Sequence, residues 1–326
     1  MKKTLAIIAF SLVGILSSLS LVDAVAATPK RSKIPVSPKV IYGNDDRYDY
    51  YQVASSALRE MAPATLAIVY NENFSKIKSD EYLIKAKSLK ENYDLCSDEM
   101  YADQMAASDC TAFLIAPDIA VTAGHCMNTV QDCAKKKFVQ NYYLTSADSM
   151  KDGHLVNEVN ITQCVEILAR EKNPGTGLDY AVVKLQKILP VTKYFEMRRS
   201  DSVTDFSELT VIGYPSGLPL KYTQKSRVRT NEKEHFFQMD ADTFGGNSGS
   251  PVINEDTGVV EGILVRGERD YEYDGVQKCY RAKKCAMGTC RGEDVVRSTS
   301  VPLESLETKI KTLGLSHNIS TLPRTE

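Results

Sequence analysis

The sequence predicts an all-β protein. Short apolar runs recur along the chain, at residues 65–70, 112–115, 119–122, 163–169, 181–185, 208–212, 235–239, 252–254 and 259–265. Turn-forming strings separate them, such as Ala-Pro-Asp at 116–118, Asn-Pro-Gly at 173–175 and Tyr-Pro-Ser-Gly at 214–217. Many short strands at this spacing are typical of a β-sandwich or of β-barrels.

Length and composition are those of an ordinary globular protein. The chain has 326 residues, of which 43% are hydrophobic and 25% charged, and at ~150 residues per domain it is long enough for about two domains. The formal net charge of -2 provides no basic surface for nucleic acid or an anionic membrane. We therefore expect neither of these partners.

The first 26 residues have the pattern of a signal peptide. Lys2 and Lys3 precede an apolar stretch at residues 5–21, and Ala-Val-Ala at 24–26 is a small-x-small cleavage site. A membrane anchor is the alternative, but serines interrupt the stretch, which is shorter than the ~20 apolar residues of a spanning helix. We expect residues 1–26 to be removed, leaving a secreted or periplasmic protein.

Two helices and one surface excursion are predicted between the strands. One helix covers residues 54–61. The other covers 302–313, where Leu303, Leu306, Ile310 and Leu313 form one apolar stripe. Residues 76–109 are polar, lack clear periodicity and are interpreted as a long surface segment.

The cysteines favour disulfide bonds. In an oxidising compartment an even number of cysteines indicates bridges, and the chain has eight, at positions 96, 110, 126, 133, 164, 279, 285 and 290. A zinc site would need paired C-x2-C ligands, which this spacing lacks. Since Cys279, Cys285 and Cys290 are an odd number in one loop, at least one of them pairs elsewhere or stays free.

Three short strings carry candidate chemistry. Residues 122–126 read Thr-Ala-Gly-His-Cys and follow an apolar run. Residues 177–185 place Asp179 at the mouth of another apolar run. Residues 245–251 read Gly-Gly-Asn-Ser-Gly-Ser-Pro, where glycines on both sides of Ser248 permit a tight turn that exposes Oγ and aims backbone N–H groups at one point. Of the four histidines, His125 lies in such a string, whereas we interpret His154, His235 and His317 as packed or surface residues.

Together, and in this order, the strings resemble the chymotrypsin-like (trypsin-fold) serine peptidases. The string at 246–251, Thr-Val-Ile-Gly-Tyr-Pro at 210–215 and Val-Ile-Tyr-Gly-Asn-Asp-Asp-Arg at 40–47 are similar to the bacterial glutamyl endopeptidase branch. The resemblance extends from residue 40 to about residue 313.

The resemblance implies a fold and a mechanism. The fold is two six-stranded antiparallel β-barrels with a C-terminal α-helix, one barrel over residues 40–195, the other with the helix over 196–326. His125 would be the general base, Asp179 its orienting acid and Ser248 the nucleophile, with the N–H groups of Gly246 and Ser248 as the oxyanion hole. The enzyme would need no metal or cofactor, cleave polypeptides and act as a monomer.

The resemblance also implies a disulfide between Cys110 and Cys126, which flank the hairpin that bears His125. Closing so short a loop contributes ~3 kcal/mol. A non-catalytic binding module on the same fold is the alternative to an enzyme, because a fold alone does not establish activity.

Two expectations concern processing and specificity. Residues 27–39 are either a propeptide removed by cleavage between Lys39 and Val40 or a flexible tail. The histidine that binds the substrate carboxylate in glutamyl endopeptidases is replaced by Leu264. The resemblance implies that Asp242 and Thr243 lie at the base of the specificity pocket and favour cleavage after Arg or Lys, with cleavage after Glu as the alternative. The alternative interpretations of Asp242 are that it binds the Val40 ammonium or caps a turn.

Overall fold

The structure is a computed structural model that describes residues 40–147, 149 and 153–312, the last four by their backbone alone. The predicted signal peptide and propeptide lie outside the described residues. No helix in the described part of the chain is long and apolar enough to cross a bilayer.

Strands dominate the described residues. The first half contains β1 (Ile41–Tyr42), β2 (Arg47–Asp49), β3 (Thr65–Tyr70), β4 (Phe74–Lys76), β5 (Glu81–Ile84), β6 (Ser108–Ala116), β7 (Ile119–Thr122), β8 (Lys136–Val139), β9 (His154–Asn157), β10 (Ile161–Thr162), β11 (Cys164–Asn173) and β12 (Leu178–Leu185). The second half contains β13 (Glu208–Gly213), β14 (Lys221–Thr230), β15 (Phe236–Asp240), β16 (Pro251–Asn254), β17 (Val260–Arg266), β18 (Tyr271–Asp274), β19 (Cys279–Ala282), β20 (Lys284–Cys285) and β21 (Glu293–Arg297). The α-helices are α1 (Ser56–Glu60), α2 (Leu89–Tyr93), α3 (Val130–Lys135) and α4 (Leu303–Thr312).

The N-terminal sheet has the order β10-β8-β3-β6-β7-β12-β11, with every neighbouring pair antiparallel. Its two edges, β10 and β11, are separated in the chain by Gln163 alone. A single bent segment thus supplies both edges, so the sheet curls around its own core.

The C-terminal sheet closes completely. Its order is β13-β16-β17-β21-β15-β14-β2, and an additional pairing of β13 with β14 completes a ring of six strands. Strand β2, from near the start of the described chain, is attached to the outside of this ring through β14. The predicted all-β architecture with two barrel-like sheets is thereby confirmed.

One apolar core runs through the first sheet and across to the second. It includes Phe113 and Val182 of the N-terminal sheet together with Tyr214, Tyr222 and Ile263 of the C-terminal half. A separate cluster fills the C-terminal ring. Because buried apolar side chains of both sheets form one continuous core, we expect the relative position of the sheets to be well defined.

The segment at 76–109 is folded rather than irregular. Strands β4 and β5 pair with each other and with β9 in a small sheet, and α2 begins at a capping box formed by Ser88 and Glu91. A disulfide joins Cys96 to Cys279 at the start of β19. This segment therefore rests against the β18–β19 hairpin, which no local pattern predicted.

The terminal helix is close to its prediction, with Leu303 and Leu306 buried in the main core. The helix predicted at 54–61 is shorter, because the chain passes into a 3-10 turn at Ala62–Ala64. Strands β2, β8 and β10 of the two large sheets were not expected, and neither were β14 and β21. Both contain several charged residues, and buried ones such as Lys221 and Glu293 conceal the alternation from which a strand is normally predicted.

Candidate active site

His125 lies in a turn that follows β7 and is held from several sides. The adjacent Cys126 forms a disulfide with Cys110 of β6. Nε of Arg170, on β11, donates to the carbonyl oxygen of Gly124 at 2.9 Å. A Cβ on Gly124 would lie 2.3 Å from a backbone oxygen of β11, so only glycine allows the turn to pack this closely.

Asp179, the second residue of β12, binds His125 through both carboxylate oxygens. Oδ1 accepts from the backbone N–H of His125 at 2.8 Å and Oδ2 lies 2.8 Å from Nδ1. A carboxylate oxygen only accepts hydrogen bonds, so Nδ1 carries a proton in this pair. Whenever the ring is neutral, Nε2 is then the acceptor. Burial alone would raise the pKa of Asp179, but the hydrogen bonds and charge of His125 outweigh it and hold that pKa below its usual value.

The loop bearing Ser248 depends on glycines in the left-handed region. Gly246 has φ of 93° and Gly249 of 91°, which residues with a Cβ rarely adopt. The N–H of Gly249 donates to the carbonyl of Leu264 at 2.7 Å, and Ser248 Oγ lies 3.4 Å from the carbonyl oxygen of Val265. The loop is thereby fixed against the end of β17.

The Ser248 loop and the His125 turn are in direct contact. A Cβ on Gly249 would lie 2.3 Å from Thr122 Oγ1 and 3.0 Å from the nitrogen of Ala123. The carbonyl oxygen of Ser248 lies 3.6 Å from Sγ of Cys126. Among the hydrogen bonds of the described residues none joins the His125 and Ser248 side chains, and such bonds often tighten only when substrate binds.

Two backbone donors beside Ser248 are available. Within the described part of the chain, the N–H groups of Gly246 and Ser248 donate to no protein acceptor, whereas the N–H of Asn247 between them donates to the Phe244 carbonyl at 3.0 Å. Two nearby backbone donors without a protein acceptor are what the predicted oxyanion hole requires. The oxyanion-hole role of Gly246 and Ser248 stays a prediction.

Residues without a sequence signal of their own position this loop. Thr111 of β6 donates from Oγ1 to the carbonyl of Gly246 at 2.8 Å and accepts from the N–H of Tyr214 at 3.2 Å, bridging the two barrels. Asp270 accepts from the N–H of Gly245 at 3.0 Å.

The structure places Asp242 beneath a turn of the N-terminal segment. Its Oδ1 accepts from the N–H of Tyr42 and its Oδ2 from the N–H of Asp46, both at 2.7 Å. Burial raises the pKa of Asp242 to about 7, although the two N–H donors oppose that shift. Thr243 is fully buried and donates from Oγ1 to Glu293 at 2.7 Å. The specificity role predicted for Asp242 and Thr243 stays a prediction.

The other histidines lie elsewhere. His154 is largely buried, packs edge-on against Tyr142, and has its pKa lowered by burial to about 4. His235 Nδ1 lies 3.4 Å from Ser300 Oγ, and His317 is outside the described residues. Leu264, where a glutamyl endopeptidase has histidine, is completely buried in the C-terminal core.

One group of side chains superficially resembles a metal site. Potential ligand atoms of Cys110, His125 and Cys126 lie within 4.8 Å of one another. The two sulfurs, however, are bonded to each other, and zinc binds cysteine as the thiolate. This group is therefore a disulfide beside an imidazole rather than a set of metal ligands.

Two barrel-like sheets, with a histidine–aspartate pair on one and a glycine-flanked serine from the other, define the class as a serine peptidase of the chymotrypsin fold. Residues 110–263 match the family model described as "Trypsin-like peptidase domain". The chain therefore contains a trypsin-like peptidase domain, a fold that implies polypeptide substrates.

Solved structures that the chain resembles include a Glu endopeptidase in complex with MPD, with 15% identity over 84% of this chain and 100% of that one, at a TM-score of 0.48. Another is the Rv3671c protease in an inactive form, with 14% sequence identity and a TM-score of 0.43. The match covers 84% of this chain and 99% of that one. A serine-to-alanine mutant of Rv3671c from M. tuberculosis H37Rv has 13% sequence identity and a TM-score of 0.42. The match covers 87% of this chain and 99% of that one. No curated protein sequence matches the chain. The fold assignment therefore rests on sheet topology and on the family match.

Proposed function

We propose that the chain is an exported serine endopeptidase that cleaves polypeptides through an acyl-enzyme. The observation that carries the proposal is the His125–Asp179 pair, bound through both carboxylate oxygens, on the turn against which the Ser248 loop packs. Export is supported by four disulfide bonds, which persist in oxidising compartments.

In this mechanism Ser248 Oγ attacks the substrate carbonyl while Nε2 of His125 takes its proton. Asp179 stabilises the resulting imidazolium, and the N–H groups of Gly246 and Ser248 hold the tetrahedral oxyanion. His125 then gives the proton to the leaving amine, and water hydrolyses the acyl-enzyme by the same steps in reverse order. Arg or Lys is the proposed residue before the cleaved bond.

A fluorophosphonate probe, which forms a covalent bond with an activated serine, tests the proposal. We expect the secreted protein to be labelled and Ser248→Ala to lose all labelling. Ser250→Ala is a matched control in the same loop, because Ser250 is buried and its Oγ lies 3.3 Å from Asn247 Oδ1; it should retain labelling. Correctly processed wild-type protein that is not labelled would favour a non-catalytic binding module instead.

Cleavage between Lys39 and Val40 belongs to the same proposal. Val40 is completely buried, and Ile41–Tyr42 pairs in parallel with β20, so the segment after this bond is an integral part of the fold. N-terminal sequencing of the secreted, active protein should begin at Val40. A start at Ala27 in fully active protein would show that residues 27–39 are a tail.

A further inference from the structure

A second buried carboxylate lies next to the Ser248 loop. Glu293, the first residue of β21, is completely buried. Its Oε2 accepts from the Thr243 hydroxyl at 2.7 Å and its Oε1 from the N–H of Glu268 at 3.3 Å. The mechanism above does not use this carboxylate, and burying it carries a desolvation cost.

Both segments that bind Glu293 lead directly to the nucleophile. Thr243 lies in the loop that continues to Ser248. Glu268 follows β17, whose Val265 carbonyl oxygen lies 3.4 Å from Ser248 Oγ. Glu293 is therefore hydrogen-bonded to both chain segments that flank the nucleophile.

Gly267 leaves room for the carboxylate at this point. A Cβ on Gly267 would lie 2.0 Å from Oε2 and 2.1 Å from Oε1 of Glu293. The carboxylate thus occupies the volume that any other residue at position 267 would fill. The end of β21 is also anchored, because Arg266 and Arg291 both bind the adjacent Asp294.

Asp242, the residue that the sequence favoured for this role, is differently engaged. Its two oxygens accept from the backbone of the turn formed by Tyr42 and Asp46, so it stabilises the N-terminal segment. The donors to Glu293, by contrast, come from the walls beside Ser248.

We infer that Glu293 is the residue that selects Arg or Lys before the cleaved bond, with Thr243 orienting its carboxylate. The inference rests on the proposed peptidase function. A guanidinium or ammonium that enters between Thr243 and Gly267 would form an ion pair with the buried carboxylate. A neutral or acidic side chain would not form this ion pair, which lowers kcat/KM for peptides that carry one.

The test measures kcat/KM for matched peptides that differ only in having Arg, Lys, Leu or Glu before the cleaved bond. For wild type we expect cleavage mainly after Arg and Lys. Glu293→Gln, which keeps the side-chain size and one acceptor, should lower kcat/KM for the Arg and Lys peptides at least about a hundredfold. The Leu peptide should change far less.

Two further variants make the result decisive. Glu208→Gln, at the exposed first residue of β13, is the matched control and should leave the Arg-to-Leu ratio of kcat/KM unchanged. Asp242→Asn represents the competing assignment. The inference would be overturned if Glu293→Gln kept the wild-type Arg-to-Leu ratio of kcat/KM, or if only Asp242→Asn lost that ratio. Wild-type cleavage mainly after Glu would also overturn it.

Fluorophosphonate labelling separates this inference from the proposed function. Glu293→Gln should still be labelled at Ser248, because the probe needs no basic side chain. If Glu293→Gln does not fold, Gly267→Ala replaces it in the test, because the added Cβ would displace the Glu293 carboxylate. We expect Gly267→Ala to lose the preference for Arg and Lys and to keep the labelling. Wild-type protein without labelling would instead disprove the peptidase function.

Discussion

The two barrels hold their parts of the candidate site by different means. In the N-terminal barrel His125 and Asp179 are already joined by two hydrogen bonds of 2.8 Å, and a disulfide pins the turn. In the C-terminal barrel Ser248 is held by backbone hydrogen bonds and by two glycines with positive φ. The acid–base pair is thus assembled within one barrel, whereas its distance to the nucleophile depends on how the barrels dock.

The largest expected effect comes from removing the charge within the N-terminal pair. Asp179→Asn should lower kcat about 10⁴-fold at neutral pH, because an amide no longer selects the tautomer with the proton on Nδ1. Steady-state kinetics on a peptide substrate measure this, and circular dichroism checks the fold. A loss below tenfold would contradict the assigned role of Asp179.

The second prediction breaks the contact between the barrels. In Gly249→Ala the new Cβ would lie 2.0 Å from the carbonyl oxygen of Thr111, so we expect a loss of about 4 kcal/mol or more in the free energy of unfolding. Gly258→Ala is the matched control: Gly258 also has positive φ, but nothing lies within 4 Å of its Cβ position. In a denaturant titration Gly258→Ala should lower the free energy of unfolding by only ~1–2 kcal/mol. Equal losses in the two variants would mean that glycine is required at position 249 by its positive φ and not by the close contact between the barrels.

The third prediction compares two disulfides. Replacing Cys110 and Cys126 by alanine opens a loop with a sequence separation of 16 and should cost ~3 kcal/mol in the chain-entropy model. Replacing Cys285 and Cys290, which have a sequence separation of 5, should lower the free energy of unfolding by about 2 kcal/mol. Only the first double variant should also lower kcat, since only that bridge adjoins His125. Activity and denaturant titrations on both double variants test this, and equal activities would contradict it.

The fourth prediction concerns two buried aspartates with opposite pKa shifts. Because burial raises the pKa of Asp242 to about 7, the folded state binds a proton that the unfolded chain releases near pH ~4. Its contribution to stability is therefore full below pH ~4 and lost as the pH rises towards 7. Asp179 has a lowered pKa, so its contribution is present above pH ~4 and is lost only at lower pH.

Thermal unfolding of wild type and Asp242→Asn between pH 4 and 8 separates the two. Between pH ~4 and about 7 the stability of Asp242→Asn should fall less than that of wild type, because the contribution of Asp242 is absent. Asp179→Asn should still show the Asp242 contribution to this fall. Parallel curves for wild type and Asp242→Asn would contradict the raised pKa.

The sequence by itself determined the fold class and the candidate chemistry. Turn signals between short apolar runs predicted the strands, because a strand and its turn are local. The strings around His125, Asp179 and Ser248 were recognisable since each depends on nearby residues, such as glycines that permit the Ser248 turn. Their catalytic roles stay predictions until the labelling and kinetic experiments are done.

Only the tertiary structure decided which buried acids bind the segments that lead to the nucleophile. Asp242 was favoured from its distance along the chain, but its partners, Tyr42 and Asp46, lie about 200 residues earlier. Glu293 had no local signal, because a charged residue at the start of a short strand normally indicates an exposed position. Its burial follows from contacts with Thr243 and Gly267, and long-range packing of this kind is not encoded in any short segment of sequence.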